Sequence, residues 1–169
     1  MPALLFKIFV PTSDIKSPVD YNEKKTKKGK AERIKAKNFG IENPTEKEAI
    51  AYLKIQSSLN RRIKAPSFHA MISCKGNEYS HEELMKYAEE VMNRLGYEDQ
   101  PMLFYAHSDR ANNHVHVVTT RVNKKGKKIN DSFEYKRANH ILNAIMNRNP
   151  KMEFEANLHN ARQYRVSIA

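Results

Sequence analysis

The chain has 169 residues, 40% of them hydrophobic, which suits one globular domain with a buried core but not two ordinary domains. No stretch approaches the roughly 18 apolar residues of a membrane span, and we do not expect the short apolar N-terminus to be a signal peptide. The single cysteine, Cys74, excludes an internal disulfide framework and predicts a reducing, cytoplasmic setting.

The net charge of +11 is concentrated in two segments. Residues 21–40 carry eight basic and two acidic side chains, and residues 121–137 carry seven and two, so these segments account for the whole excess. Such clusters suit nucleic acid, because each phosphate that they neutralise releases counterions, although solvated loops are the simpler alternative. The side chains that we expect to contact DNA are Lys24, Lys25, Lys27, Lys28, Arg121, Lys124, Lys125 and Lys127.

The first part of the chain predicts a strand, a loop and a helix. Residues 3–10 are almost continuously apolar and predict a buried strand. Residues 20–38 are rich in lysine and show little apolar periodicity, so we expect a mobile loop with isolated helical turns. Thr45 and Glu48 form a capping-box pattern, and the helical period after them predicts a helix that ends before Pro66.

The middle of the chain has the most regular pattern. Residues 68–74 predict a strand. Ser80 and Glu83 form a second capping box ahead of an amphipathic stripe, and Gly96 stands where a glycine that ends the helix is expected. This segment therefore predicts a strand followed by an amphipathic helix.

Two further strands and a helix complete the pattern. Residues 102–107 and 114–122 predict strands separated by a turn-prone segment. Asp131 or Ser132 is expected to cap a helix that ends near residue 147. This order of elements predicts an α+β fold with an antiparallel sheet of about five strands and helices packed mainly on one face.

Three histidines are clustered around the predicted turn. His114 and His116 are two residues apart on one strand, so their side chains share a face, and a hairpin would bring His107 beside them. Three neutral imidazoles can hold a divalent metal with open coordination positions, and nitrogen ligands suit Mn, Co, Ni or Zn better than Mg. Asp109 is a candidate to orient one ring. The alternative is that these histidines are surface or packing residues.

Tyrosine is the remaining nucleophile type, because no Ser-His-Asp or Cys-His arrangement is evident. Tyr21 stands at the start of the main lysine run, beyond the first predicted strand. Tyr135 and Tyr164, which follow the histidines, are the alternatives.

His69 lies on the strand predicted at residues 68–74, on the face opposite Phe68, Ala70 and Ile72. A histidine there can be a structural residue with satisfied hydrogen bonds. It can also contact DNA or lie beside the metal ligands. We expect the structural role.

Residues 107–122 resemble the metal-binding motif of the HUH endonucleases, most closely the relaxases of mobilisable plasmids and conjugative elements. That motif is His-x-Asp, a short loop, then His-x-His followed by apolar residues and an Arg-Val-Asn run, here residues 121–123. Residues 67–73 and the capped helix after them resemble the second motif of these enzymes. The resemblance covers roughly residues 3–147.

The resemblance implies that residues 1–148 form an HUH-type relaxase domain and that residues 149–169 form a C-terminal extension of uncertain structure. Relaxases often carry further C-terminal regions, so the chain is also consistent with a catalytic domain taken from a longer protein.

The resemblance also implies an activity. A relaxase nicks one DNA strand at an origin of transfer and forms a 5′-phosphotyrosine link and a free 3′-hydroxyl, with a divalent metal (Mn, Mg, Zn, Ni or Co) that polarises the scissile phosphate. The implied partners are single-stranded DNA, accessory mobilisation proteins and a secretion coupling protein, in the cytoplasm.

Residue roles follow from the same resemblance. The ligands correspond to the three clustered histidines, and Asp109 to the orienting carboxylate. In relaxases the tyrosine precedes the histidine motif, which selects Tyr21. In rolling-circle replication initiators and related transposases it follows the motif, which would select Tyr135 or Tyr164. A non-catalytic DNA-binding module is a further alternative.

Overall fold

The structure is a computed structural model that describes residues 4–108 and 111–147. Asp109, Tyr164 and the predicted extension at residues 149–169 lie outside the described residues. The elements in chain order are β1 (Leu5–Ile8), α1 (Lys16–Lys27), β2 (Ala31–Lys37), α2 (Glu46–Ser57), β3 (Ser67–Ser73), α3 (His81–Met92), a π-helical turn (Asn93–Tyr97), β4 (Met102–His107), β5 (His114–Thr120) and α4 (Glu134–Met146).

The strands form one sheet in the order β1-β3-β5-β4-β2, and every neighbouring pair is antiparallel. β4 and β5 are consecutive in the chain and pair as a hairpin in which His107 lies opposite His114. The predicted α+β class and antiparallel five-stranded sheet are confirmed.

Each face of the sheet packs against two of the described helices. Phe104, Val115 and Val117 belong to a core with α3 and α4. Leu103 and Val118, one residue away along the same strands, belong to a second core with α1 and α2. Successive side chains of a strand point to opposite faces, so the two cores lie on opposite sides of the sheet. The expectation that the helices lie mainly on one face is therefore corrected.

The predicted mobile loop at residues 20–38 is the main correction. This segment contains most of α1 and all of β2, which are joined by a turn at Gly29 with φ 74°. Only Val19 and Asn22 are buried in α1, and lysines occupy much of the rest, so the helix shows little apolar periodicity. Packing against the sheet, rather than a strong sequence pattern, stabilises it.

Both predicted capping boxes are confirmed, at Thr45 with Glu48 and at Ser80 with Glu83. The helix that begins after Thr45 ends at Ser57, several residues before Pro66, where the sequence predicted its end.

The start of α4 differs from the prediction. Neither Asp131 nor Ser132 caps this helix, because it begins after Phe133, which has a left-handed backbone (φ 51°) and makes no capping hydrogen bond. Asp131 instead forms ion pairs with Lys128 at 3.1 Å and Arg121 at 3.7 Å. Among the helices of the described ranges, none has the length and apolar character needed to cross a bilayer.

Candidate active site

The three predicted histidines lie together at one end of the β4–β5 hairpin. His107, His114 and His116 are all buried, and one ring nitrogen of each lies within 4.8 Å of the others. The ring centroids of His107 and His116 are 3.9 Å apart, and that of His114 is 4.9 Å from His107 and 5.3 Å from His116. This donor set can hold a divalent metal ion with coordination positions left open.

Each of the three rings has a second nitrogen that contacts a neighbouring group. Nδ1 of His114 lies 3.0 Å from the backbone oxygen of Asn112. A carbonyl oxygen only accepts hydrogen bonds, so Nδ1 donates, and Nε2 is the nitrogen of His114 that can coordinate a metal. Nδ1 of His116 lies 2.7 Å from Nε2 of His69. Contacts of this kind fix the orientation of metal-binding histidines.

The third contact comes from a residue that the sequence did not single out. Oδ1 of Asn22 lies 2.6 Å from Nε2 of His107. The amide of Asn22 is held in this orientation because its Nδ2 donates to the backbone oxygen of Pro18 at 2.8 Å. Nε2 of His107 is therefore the donor in this contact, and Nδ1 is the nitrogen of that ring that can coordinate a metal.

Two of the imidazoles at this site, those of His69 and His116, favour their neutral form. Burial lowers the pKa of His69 to about 4. Burial, together with the neighbouring His107, lowers the pKa of His116 far below its usual range. Neutral imidazole is the form that binds metals, so His116 is in the ligand form at neutral pH.

Tyr21 lies beside this cluster on α1. Its ring centroid is 6.2 Å from those of His107 and His116 and 6.4 Å from that of His69. The tyrosine is 43% exposed, so one side of its ring is open to solvent. The ammonium of Lys25, one helical turn further on, lies 5.7 Å from the ring centroid. Tyr21 therefore combines access from solvent with proximity to the histidines.

Tyr135 lies elsewhere. It is on α4, which belongs to the core on the opposite face of the sheet from His114 and His116. Within the described residues, the structure thus brings Tyr21 to the histidine cluster and leaves Tyr135 on the other side.

A polar network attaches α1 to the sheet next to the cluster. Glu23 accepts a short hydrogen bond from the hydroxyl of Tyr105 and pairs with Arg33 at 2.7 Å. Tyr105 lies opposite His116 in the β4–β5 ladder. No sequence pattern marks this network, because Tyr105 is far from Glu23 and Arg33 in the chain, and these two lie among other charged residues.

The basic side chains divide into two groups. The first group is exposed and lies in two places. Three lysines are on or just after α1 (Lys24, Lys27 and Lys28), and three are in the turn after β5 (Lys124, Lys125 and Lys127). Arg121 is only 2% exposed and pairs with Glu134 at 2.8 Å. Its guanidinium also lies over the ring of Phe68. Arg121 is therefore part of the interior rather than of the DNA-binding surface that the sequence predicted.

An antiparallel sheet that gathers three histidines beside an exposed tyrosine has the architecture of an HUH-type nuclease domain. A family model described as "Relaxase: MobA/VirD2-like, nuclease domain" matches residues 21–149, which is more than half of the chain. The chain belongs to this relaxase family, as the resemblance of its histidine motif predicted. No curated protein and no solved structure matches it.

Proposed function

We propose that this protein nicks single-stranded DNA at an origin of transfer by transesterification, with Tyr21 as the nucleophile. The observation that carries the proposal is the position of the Tyr21 ring beside His107 and His116, with centroid separations of 6.2 Å. The family to which the chain belongs supports DNA nicking in mobilisation.

In the proposed step, Oη of Tyr21 attacks the phosphorus of one phosphodiester. The bond from phosphorus to the 3′-oxygen breaks as the bond to Oη forms. The phenol loses one proton, and the leaving 3′-oxygen gains one to become a hydroxyl. The products are a 5′-phosphotyrosine and a free 3′-end. The reaction exchanges one phosphodiester for another and needs no external energy source.

We propose that His107, His114 and His116 hold the divalent metal. When bound, such an ion would polarise the scissile phosphate and stabilise the charge that develops on it. Three nitrogen donors favour Mn, Co, Ni or Zn over Mg, which prefers oxygen ligands. Asn22 and His69 hold two of the three rings in place.

The exposed lysines of α1 and of the turn after β5 would contact the DNA backbone in this proposal. Lys25, which lies over the Tyr21 ring, would place a positive charge near the scissile phosphate. The proposal also includes a cytoplasmic location and the accessory mobilisation and secretion coupling proteins that the family resemblance implies.

The test is formation of a covalent adduct. The protein is incubated with Mn²⁺ and a single-stranded oligonucleotide from its own transfer origin, and adducts are separated on a denaturing gel. We expect an adduct with the wild type and with Tyr135→Phe, but none with Tyr21→Phe. Mass spectrometry of the DNA-linked peptide then identifies the tyrosine.

Two results would contradict the proposal. An adduct on Tyr135 or Tyr164 would indicate a rolling-circle initiator or a related nuclease. Salt-sensitive DNA binding without cleavage in any metal would indicate a non-catalytic binding module.

A further inference from the structure

A cavity of about 340 Å³ opens directly beside the proposed nucleophile. It lies between the end of β1 and the first turns of α1, and both Tyr21 and His116 line it. Its volume is within the roughly 300–1,000 Å³ of pockets that hold small organic groups. Any group bound here would therefore touch the candidate active site.

The lining of this cavity is apolar and aromatic. The ring of Phe9 packs on that of His69, with centroids 4.5 Å apart, and both rings line the cavity. Val10 stands at its mouth with 85% of its surface exposed. None of the lining residues is Lys, Arg, Asp or Glu. A flat, uncharged ring fits such walls better than a phosphate does, and bases of single-stranded nucleic acid stack on aromatic side chains in this way.

The cavity wall also carries a hydroxyl group that has no hydrogen-bond partner among the described residues. Ser67 is only 3% exposed and lines the cavity, and its hydroxyl makes no hydrogen bond within the described part of the chain. Strand alternation puts its side chain on the same face of the sheet as that of His69. Buried hydroxyls are normally hydrogen-bonded, so this one is suited to the polar edge of a bound group.

A second cavity, of about 480 Å³, is lined by Pro66, the chain neighbour of Ser67 in the first cavity. Three cationic side chains line it: Lys54, Arg61 and Lys64. Its one acidic side chain, Asp14, accepts hydrogen bonds from two backbone N–H groups at the start of α1. An uncharged aromatic pocket next to a basic cleft matches the alternation of bases and phosphates in a polynucleotide.

We propose that the first cavity is a nucleobase pocket, which takes the base of a nucleotide next to the scissile phosphate and reads its edge through the Ser67 hydroxyl. Phe9, Val10 and Tyr21 form the surfaces against which the base packs. This inference rests on the proposed function, because it needs a strand whose phosphate lies at Tyr21.

The test uses cleavage of a random pool of single-stranded DNA with Mn²⁺. The 3′-ends and the protein-linked 5′-ends are sequenced, which gives the base preference at every position around the cut. We expect the wild type to prefer particular bases at a position within about two nucleotides of the cut. Ser67→Ala should weaken that preference about fivefold, the effect of one lost hydrogen bond, and leave preferences farther away unchanged. Ser132→Ala, which changes an exposed serine near α4, should keep the wild-type pattern.

A second measurement tests the packing surface. An abasic nucleotide at the preferred position should lower the cleavage rate of the wild type about tenfold, whereas an abasic nucleotide several positions away should have little effect. Cleavage without base preference near the cut, or a preference that Ser67→Ala leaves intact, would overturn the nucleobase pocket but not the nuclease. Absence of any cleavage by the wild type would overturn the proposed function and the pocket with it.

Discussion

The amide oxygen of Asn22 lies 2.6 Å from Nε2 of His107 and links the helix of the proposed nucleophile directly to the histidine cluster. Asn22 follows Tyr21 in the chain and is fully buried, while Tyr21 is partly exposed. The same helix therefore presents the tyrosine to solvent and orients a histidine of the proposed metal site. We infer that Asn22 is a positioning residue for both.

Replacing Asn22 is expected to weaken metal binding. Asn22→Ala removes the acceptor that orients the His107 ring, and loss of such a contact typically lowers metal affinity about 10-fold to 100-fold. Asn22→Asp keeps an acceptor oxygen and should retain the affinity. Titration calorimetry with Mn²⁺ or Co²⁺ measures the effect without any DNA. Asn60→Ala, in the loop after α2, is the control, and equal affinity of Asn22→Ala and wild type would exclude the positioning role.

The buried histidines should make the metal-free protein less stable in acid. The pKa of His69 is lowered to about 4 in the folded protein, so between pH 6.5 and 4 the unfolded chain binds more protons. The free energy of unfolding is therefore highest above pH 6.5. It should fall by on the order of 2 kcal/mol as the pH drops to 4. His116 contributes in the same direction.

Denaturant unfolding with a metal chelator present, repeated at several pH values, measures this slope. His69→Gln should flatten part of it. Asn60→Gln, in the loop after α2, removes no titratable group and should leave it unchanged. A wild-type stability that does not change between pH 6.5 and 4 would contradict the prediction.

The histidine cluster could be predicted from the sequence because its geometry is local. The alternation of β5 puts His114 and His116 on one face. The connection to β4 is short, so the two strands pair as a hairpin and His107 lies beside them. Long-range contacts were not predictable in this way. The contact of Asn22 with His107 joins residues 85 positions apart, and no pattern in a lysine-rich segment marks it.

Helix α1 and Arg121 show two further limits of prediction from sequence. The sequence pattern failed at α1 because Val19 is its only buried apolar residue, and the helix depends on the sheet that it covers. The prediction that Arg121 contacts DNA was wrong, because the sequence does not distinguish a basic residue in a buried ion pair from an exposed one. Glu134, which neutralises Arg121, is 13 residues away.

Arg121 is expected to support stability. Its side chain is 3% exposed and that of Glu134 is 7% exposed, so Arg121→Met would leave a buried carboxylate without its cation. Breaking one side of a buried pair typically lowers the free energy of unfolding by about 3 kcal/mol or more. Arg94→Met, which removes an exposed pair with Glu90, should change it by about 1 kcal/mol at most. Chemical denaturation measures both, and a stable Arg121→Met protein with weakened DNA binding would favour the original prediction of a DNA contact.

The lysines of the turn after β5 are expected to contact DNA phosphates. Lys124 and Lys125 are exposed, and Lys124 lines a cavity with Tyr52 and Ile55 of α2, on the same side of the sheet as the histidines. The double variant Lys124→Gln/Lys125→Gln should bind single-stranded DNA more weakly. The slope of log affinity against log salt concentration should become shallower by about 1.4, since each lost contact to a single strand contributes about 0.7.

The matched control removes the same charge from the opposite side of the sheet. Lys86→Gln/Arg94→Gln changes two exposed residues, one on α3 and one in the π-helical turn after it. Fluorescence anisotropy with a labelled oligonucleotide at several salt concentrations compares the two variants. An unchanged slope in the control, with a shallower slope in the first variant, locates the DNA on the histidine side, because general attraction by net charge would lower both slopes equally.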